Sequence, residues 1–126
     1  MGEDTITFVD ESLYLSYDKS IWWIDSGVTT HVANFLQRSS MRRTLPRGAR
    51  RTKVANRLEA EVEAIAEFHL QLNIGFVLCL RDVLDVPSLQ RNLISVSRLY
   101  DDSIDCHFGD GKCEIQFDKE CVGLAF

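Results

Sequence analysis

Several features are missing from this 126-residue sequence, and each absence narrows what the chain can be. The longest strongly apolar stretch, around "IGFVLCL", falls far short of the roughly 20 residues that a membrane-spanning helix needs. The N-terminus, "MGEDTITFVDE", has neither the basic start nor the apolar core of a secretory leader. Ile6 stands where an N-myristoylation signal requires Ser or Thr. An intracellular, cytoplasmic chain with no membrane partner is therefore expected. The four cysteines, Cys79, Cys106, Cys113 and Cys121, contain no C-x-x-C pair, and only His107 adjoins one of them. No metal site is expected from that spacing, and free buried thiols are. Internal repeats and low-complexity tracts are also lacking.

What is present is the composition of an ordinary globular domain, 45% hydrophobic and 26% charged. A chain of this length forms one domain, 1–126, and buries roughly two thirds of the surface of its unfolded state. The net charge of −5 hides a pattern. Residues 1–30 carry six acids and one base, and residues 58–126 carry thirteen acids and five bases. Between them, residues 38–57 carry eight bases and no acid. A solvated basic loop is the plain reading of that island, and attraction to nucleic acid or an acidic partner is the sharper one. No aromatic residue interrupts the island to stack on bases, which weakens the nucleic-acid reading.

Period-two patterning dominates the rest. "ITFVDESLYLSY" alternates through Leu13, Leu15 and Tyr17 like a half-buried strand, with residues 1–13 expected as a less ordered extension. "IWWID" is β-prone and apolar enough for a strand buried on both faces. Between Leu58 and Leu72, apolar and polar residues alternate almost without exception, as in a long bent strand or a hairpin. A helix also fits there, through Leu58, Val62 and Ile65, because Ala and Glu are good helix formers. "VLCLRDVLDVP" reads as a strand ended by Pro87. "SLQRNLISVSRLYDD" fits either helical spacing through Leu89, Leu93, Val96 and Tyr100, or a short strand leading into one helical turn. "CHFGDGKCEIQF" is a hairpin around Asp110-Gly111, with Phe108 facing Cys113 and Cys106 facing Ile115. The remaining stretch, 37–51, reads as a long basic loop. Together these elements give an all-β domain with at most one short helix.

Within "WWIDSGVTTHV", Asp25 ends an apolar strand immediately before Ser26 and Gly27. Asp, Ser and Gly are ordinary turn residues, and on the tripeptide alone a turn is the simpler reading. The same placement suits an aspartic peptidase, which needs a carboxylate fixed by a buried strand and open to a cleft. Ser26 could pin the turn to a second copy of itself, and Gly27 permits close approach. Such chemistry takes two carboxyl groups sharing a proton around a water, without a cofactor. One triplet per chain then implies a homodimer contributing one Asp25 from each subunit.

The three blocks "WWIDSGVTTHV", "LRDVLDVPSLQRNLISVSRL" and "CHFGDGKCEIQFDKECVGLAF" together resemble the Pol polyprotein of plant copia-type retrotransposons, from about Tyr14 to Phe126. The resemblance implies a small closed retropepsin-like β-barrel with a flap hairpin, lying between a zinc-knuckle segment and an integrase. No knuckle cysteines precede the domain, so an isolated or truncated piece is expected. By the same resemblance Asp25, Ser26 and Gly27 are the catalytic triplet, with Val28 where the family usually has Ala. His31 matches a family histidine, expected as a hydrogen-bonded structural residue. Asn92, Leu93, Ile94 and Ser95 match the apolar strand that supports the catalytic loop. Lys53 to Glu67 match the flap, with Val54, Ala55, Asn56 and Arg57 at the substrate, which favours strand over helix there.

Two departures stand out. No glycine lies between Gly48 and Gly75, where the family's flap tip tends to carry one. Asp85 takes a place usually held by an aromatic, which is destabilising unless its charge is solvated or paired. Three functions follow: an aspartic endopeptidase cleaving a Gag-Pol polyprotein as a homodimer, a catalytically inactive β-barrel serving as a structural or interaction module, and a weak nucleic-acid binder.

Overall fold

The computed structural model describes residues 13–17, 20–34, 40–53, 59–72, 75–89 and 91–126. Twelve strands and one helix are assigned within them. Alternation forms most of the strands. In β7 (Ala64–Gln71), Ala64, Ala66, Phe68 and Leu70 are buried while Glu67 is half-buried and His69 and Gln71 are exposed. Its antiparallel partner β8 (Val77–Asp85) buries Leu78, Leu80 and Val83. The pairing shifts register opposite Ala66 and Phe68, and Asp82 adopts φ 53°. That bulge adds one residue, setting Arg81 and Asp82 opposite Glu67 alone, so Leu80 and Val83 both stay on the core side.

Seven strands form one curled sheet, a half-barrel in the order β1 (Leu13–Tyr17), β2 (Ser20–Asp25), β9 (Asn92–Ser95), β3 (Val32–Ala33), β8, β7, β4 (Ser40–Thr44). A second sheet is the meander β10 (Ile104–Gly109), β11 (Lys112–Phe117), β12 (Glu120–Ala125). The helix α1 (Val96–Asp101) joins β9 to it. A third, two-stranded sheet pairs β5 (Arg51–Lys53) with β6 (Glu59–Glu61). The all-β architecture with one short helix is thus as expected. Among the described residues the sheet's end strands, β1 and β4, do not pair, so the expected closed barrel is here a half-barrel with no continuous hydrogen-bond ring.

Two apolar clusters result. The larger joins the half-barrel to the meander through Trp22, Phe68, Leu80, Ile94, Ile115 and Val122. Trp22 meets Phe68 edge-to-face, with ring centroids 4.9 Å apart. The smaller gathers Val28, Val32, Ala60, Val62, Leu84, Val86 and Leu93. Consecutive residues therefore feed different clusters: Ile94 packs in the first and Leu93 in the second.

Three expectations are modified. The alternating stretch 58–72 is not one strand, because β6 and β7 belong to different sheets. Its buried positions Ala60 and Val62 enter the smaller cluster and Ala66 to Leu72 the larger. The bend is held by Leu45 N–H donating to Glu63 O (2.8 Å), Val62 N–H to Arg50 O (3.0 Å) and Glu63 N–H to Asp85 O (2.9 Å). The expected basic loop 37–51 carries β4, whose bulged pairing with β7 brings arginines onto a sheet edge. Of the four free thiols, only Cys113 is buried. The Asp110-Gly111 hairpin forms in the expected register, Phe108 opposite Cys113 and Cys106 opposite Ile115, with φ of 51° and 73° at the turn. No helix among the described residues is long and apolar enough to cross a membrane.

Asp85 is buried, and its charge is paired: Arg42 Nη2 donates to Asp85 Oδ2 at 3.2 Å. Burial pushes the Asp85 carboxyl above its usual range, Arg42 opposes that shift and Glu63 reinforces it. Removing Arg42 leaves a buried carboxylate without its cation. Arg42→Ala is expected to cost about 1–3 kcal/mol at neutral pH. The loss should shrink in acid, where Asp85 is protonated. Urea denaturation at pH 7 and pH 4 measures both, and equal losses at the two values would rule out the ion pair as the cause.

Candidate active site

Asp25 is the last residue of β2, which runs parallel to β9 with Trp22 opposite Asn92, Ile24 opposite Ile94 and Asp25 opposite Ser95. Trp22 and Ile24 face the larger cluster, so alternation turns Asp25 to the opposite face, the side of Trp23 and the smaller cluster. Its residual exposure is 8%. Gly27 N–H donates to Asp25 Oδ1 at 2.7 Å, closing an Asx-type turn over the carboxylate. Burial raises the carboxyl's pKa and the Gly27 bond pulls it back, with burial the larger influence. Ser26 is exposed at the tip of the turn.

The turn is fastened by Ser95, the residue opposite Asp25. The Ser95 hydroxyl donates to Val28 O at 2.8 Å and accepts from Arg98 N–H at 3.2 Å. It thereby caps the N-terminus of α1 while holding the chain after Asp25. The Ser95 backbone N–H donates to His31 Nδ1 at 2.9 Å. His31 is completely buried, and with Nδ1 accepting, its proton sits on Nε2, which makes no hydrogen bond among the described residues. Burial lowers its pKa to about 3, with the nearby Arg98 charge a smaller contributor. His31 is a neutral hydrogen-bond acceptor in the loop's anchor.

The rest of the expected support strand divides its work. The Asn92 amide bridges two strands, accepting from Asn34 N–H (3.1 Å) and donating to Ile21 O (3.3 Å). Asn34 in turn donates to Leu89 O at 2.8 Å. Leu93 and Ile94 anchor the strand in the two clusters. The flap positions Val54, Ala55, Asn56 and Arg57 lie outside the described residues. The arms on either side are in place, pairing Arg51 with Glu61, Thr52 with Ala60 and Lys53 with Glu59. One apolar cluster unites Val28, directly after the Asp25 turn, with Ala60 and Val62 on and just beyond the hairpin arm.

Sequence reasoning missed Asn34 and a contact next to Asp25: the Arg91 guanidinium lies 4.5 Å from the Trp23 ring centroid. Both depend on the parallel pairing of β2 with β9, which no local pattern announces. In the basic island, acids from β6 and its neighbours intervene. Arg51 approaches Glu59 at 4.0 Å, Glu61 accepts from Gly48 N–H at 2.8 Å, and a cleft of about 230 Å³ is lined by Arg42, Arg47, Glu61 and Glu63. That mixed lining is a poor track for a phosphate backbone.

A family model described as "Pol polyprotein, beta-barrel domain" matches residues 22–104, the span that contains Asp25, His31 and Ser95. The chain belongs to this family. The retrovirus-related Pol polyprotein from transposon TNT 1-94 of Nicotiana tabacum is 26% identical over 114 residues, covering 88% of this chain and 8% of that protein. This Pol β-barrel domain thus spans less than a tenth of the curated relative it matches. No solved structure matches it.

The His31 anchor makes the Pol domain acid-sensitive. The unfolded chain takes up a proton near the ordinary histidine value of 6.5, whereas the folded chain resists until about 3. Stability is therefore full above the unfolded value and falls as pH drops toward the folded one, by about 3–5 kcal/mol from this group. His31→Gln keeps an acceptor without titrating. It is expected to flatten the decline of the urea midpoint between pH 6.5 and pH 4, and an unchanged slope would remove His31 from the explanation. Ser95→Ala should cost about 1–3 kcal/mol, since it deletes both the cap and the Val28 bond.

Proposed function

We propose that this domain is the aspartic endopeptidase of its polyprotein, active as a homodimer that brings two Asp25 carboxyl groups together. The observation that supports this reading is the Asp25 turn itself. A nearly buried carboxyl with a raised pKa sits at a strand end, held by Gly27 N–H and backed by Ser95 and His31. A single such group is already inclined to keep its proton, and a second nearby makes double ionisation costlier still. The pair therefore holds one proton in mild acid.

The chemistry follows from that shared proton. The ionised Asp25 takes a proton from water as the water oxygen attacks the peptide carbonyl carbon. The protonated Asp25 of the other subunit gives its proton to the carbonyl oxygen. Collapse of the resulting gem-diol breaks the C–N bond, with a proton passing to the nitrogen, and releases a carboxylic acid and an amine. Ala60 of β6 shares an apolar cluster with Val28, which suits a β5–β6 arm lying over substrate and excluding water. The substrate class is a peptide segment of the parent polyprotein.

Cleavage of a peptide taken from that polyprotein, assayed in mild acid with the wild type and with Asp25→Asn, is the direct test. The variant is expected to lose activity by roughly a thousandfold or more. Sedimentation of the wild type should show a concentration-dependent dimer. Equal rates in the two proteins, or a chain that stays monomeric at high concentration, would leave a non-catalytic β-barrel module as the function.

A further inference from the structure

On the β7–β8 ladder, away from the Asp25 turn, Glu67, His69 and Cys79 converge. Glu67 and His69 are two apart on β7 and so project from the same face, the side opposite buried Ala66, Phe68 and Leu70. Cys79 stands directly across from His69 in the antiparallel register. A ligand atom from each of the three lies within 4.8 Å of the other two. His69 Nε2 and Glu67 Oε2 are 2.6 Å apart. We propose that this Glu-His-Cys face is a binding site for a zinc-class divalent cation, with a fourth position left to water.

The donor set decides the metal class. One thiolate, one imidazole and one carboxylate suit a borderline-soft tetrahedral ion, whereas magnesium and calcium favour oxygen ligands throughout. Ligands on one tetrahedral zinc sit about 3.3–3.6 Å apart, given its usual bond lengths. The three groups already lie near that spread, and binding parts the His69–Glu67 contact by less than about an ångström. Zinc's two positive charges are neutralised by the Glu67 carboxylate and the Cys79 thiolate. Arg81, which also lies beside the thiol, is the charge that opposes the ion. A nucleophilic cysteine is the rival use of the same residues. It is disfavoured because Nε2 of His69 is engaged with Glu67, and because burial and the Glu67 charge push the Cys79 thiol upward. The ion would tie β7 to β8 where Glu67 also faces Ser40 of edge strand β4.

Titration of the full chain with Co²⁺, the spectroscopic stand-in for Zn²⁺, tests the site. Expected are one equivalent bound, visible bands of a tetrahedral ion, a thiolate-to-metal charge-transfer band, and displacement of all of them by Zn²⁺. Cys79→Ser should abolish the charge-transfer band, and His69→Ala should weaken binding by at least about tenfold. Cys121→Ser, which removes the exposed thiol, should leave the spectrum intact. Zn²⁺ should also raise the melting temperature of the wild type, a reading that needs no variant to fold. Absence of both the charge-transfer band and the thermal shift overturns the site. So does a spectrum that survives Cys79→Ser or disappears with Cys121→Ser. Asp25→Asn should bind metal like the wild type, so failure here and failure of the proteolytic reading are separate results.

Discussion

The insertion of β9 between β2 and β3 is the constraint on which the rest depends. Consecutive strands joined by a turn would ordinarily pair with each other. Here a strand from far along the chain parts them, parallel to one and antiparallel to the other. The turn from Asp25 to His31 is left without a hairpin partner, and Ser95 supplies what the hairpin would have given. Its hydroxyl, its backbone N–H and its capping role are all used at one point, so the turn, the helix and the central strand are fixed together. A carboxylate mounted there has its orientation set by the core rather than by a loop.

Protonation pulls this arrangement two ways. Asp25 and Asp85 hold protons more readily folded than unfolded, so they favour the native state as the solution acidifies. His31 refuses a proton that the unfolded chain accepts, and it opposes them. The proposed dyad would call for mild acid, and the His31 anchor beneath Asp25 sets a floor on how acid the surroundings can become before the fold weakens. Buried Asp85 shows a similar compromise: a charge where packing would be simpler is tolerated because Arg42 reaches it from the sheet edge.

Local pattern carried much of the fold into view. The Asp110-Gly111 hairpin was legible down to its cross-strand partners, because turn chemistry fixes register over a few residues. The buried positions from Ala60 to Leu72 were legible by parity, but not the bend at Val62–Glu63. That bend leaves the alternation intact while moving it from one core to another. β4 was hidden because an arginine-rich edge strand lacks an apolar face. At the candidate site, Asp25 and its support strand were visible through a family resemblance, whereas the roles of Asn34, Arg91 and the His31 acceptor come from pairings at long range. The Glu67-His69-Cys79 group was invisible for the same reason: its members meet only across a ladder with a bulge in it.

The long reach of Ser95 has a consequence for the order of events in synthesis. Val28 and the hydroxyl that holds it are 67 residues apart. At about 5–20 residues per second, the ribosome needs roughly 3–13 s to pass from one to the other. Until then β2 and β3 lack the strand between them, and the Asp25 turn has neither its ladder nor its anchor. Non-local closure of this kind also comes late in folding, because the loop entropy must be met before the contacts form. During synthesis Asp25 is therefore carried for seconds without its structural mount, which is complete only after β9 has emerged.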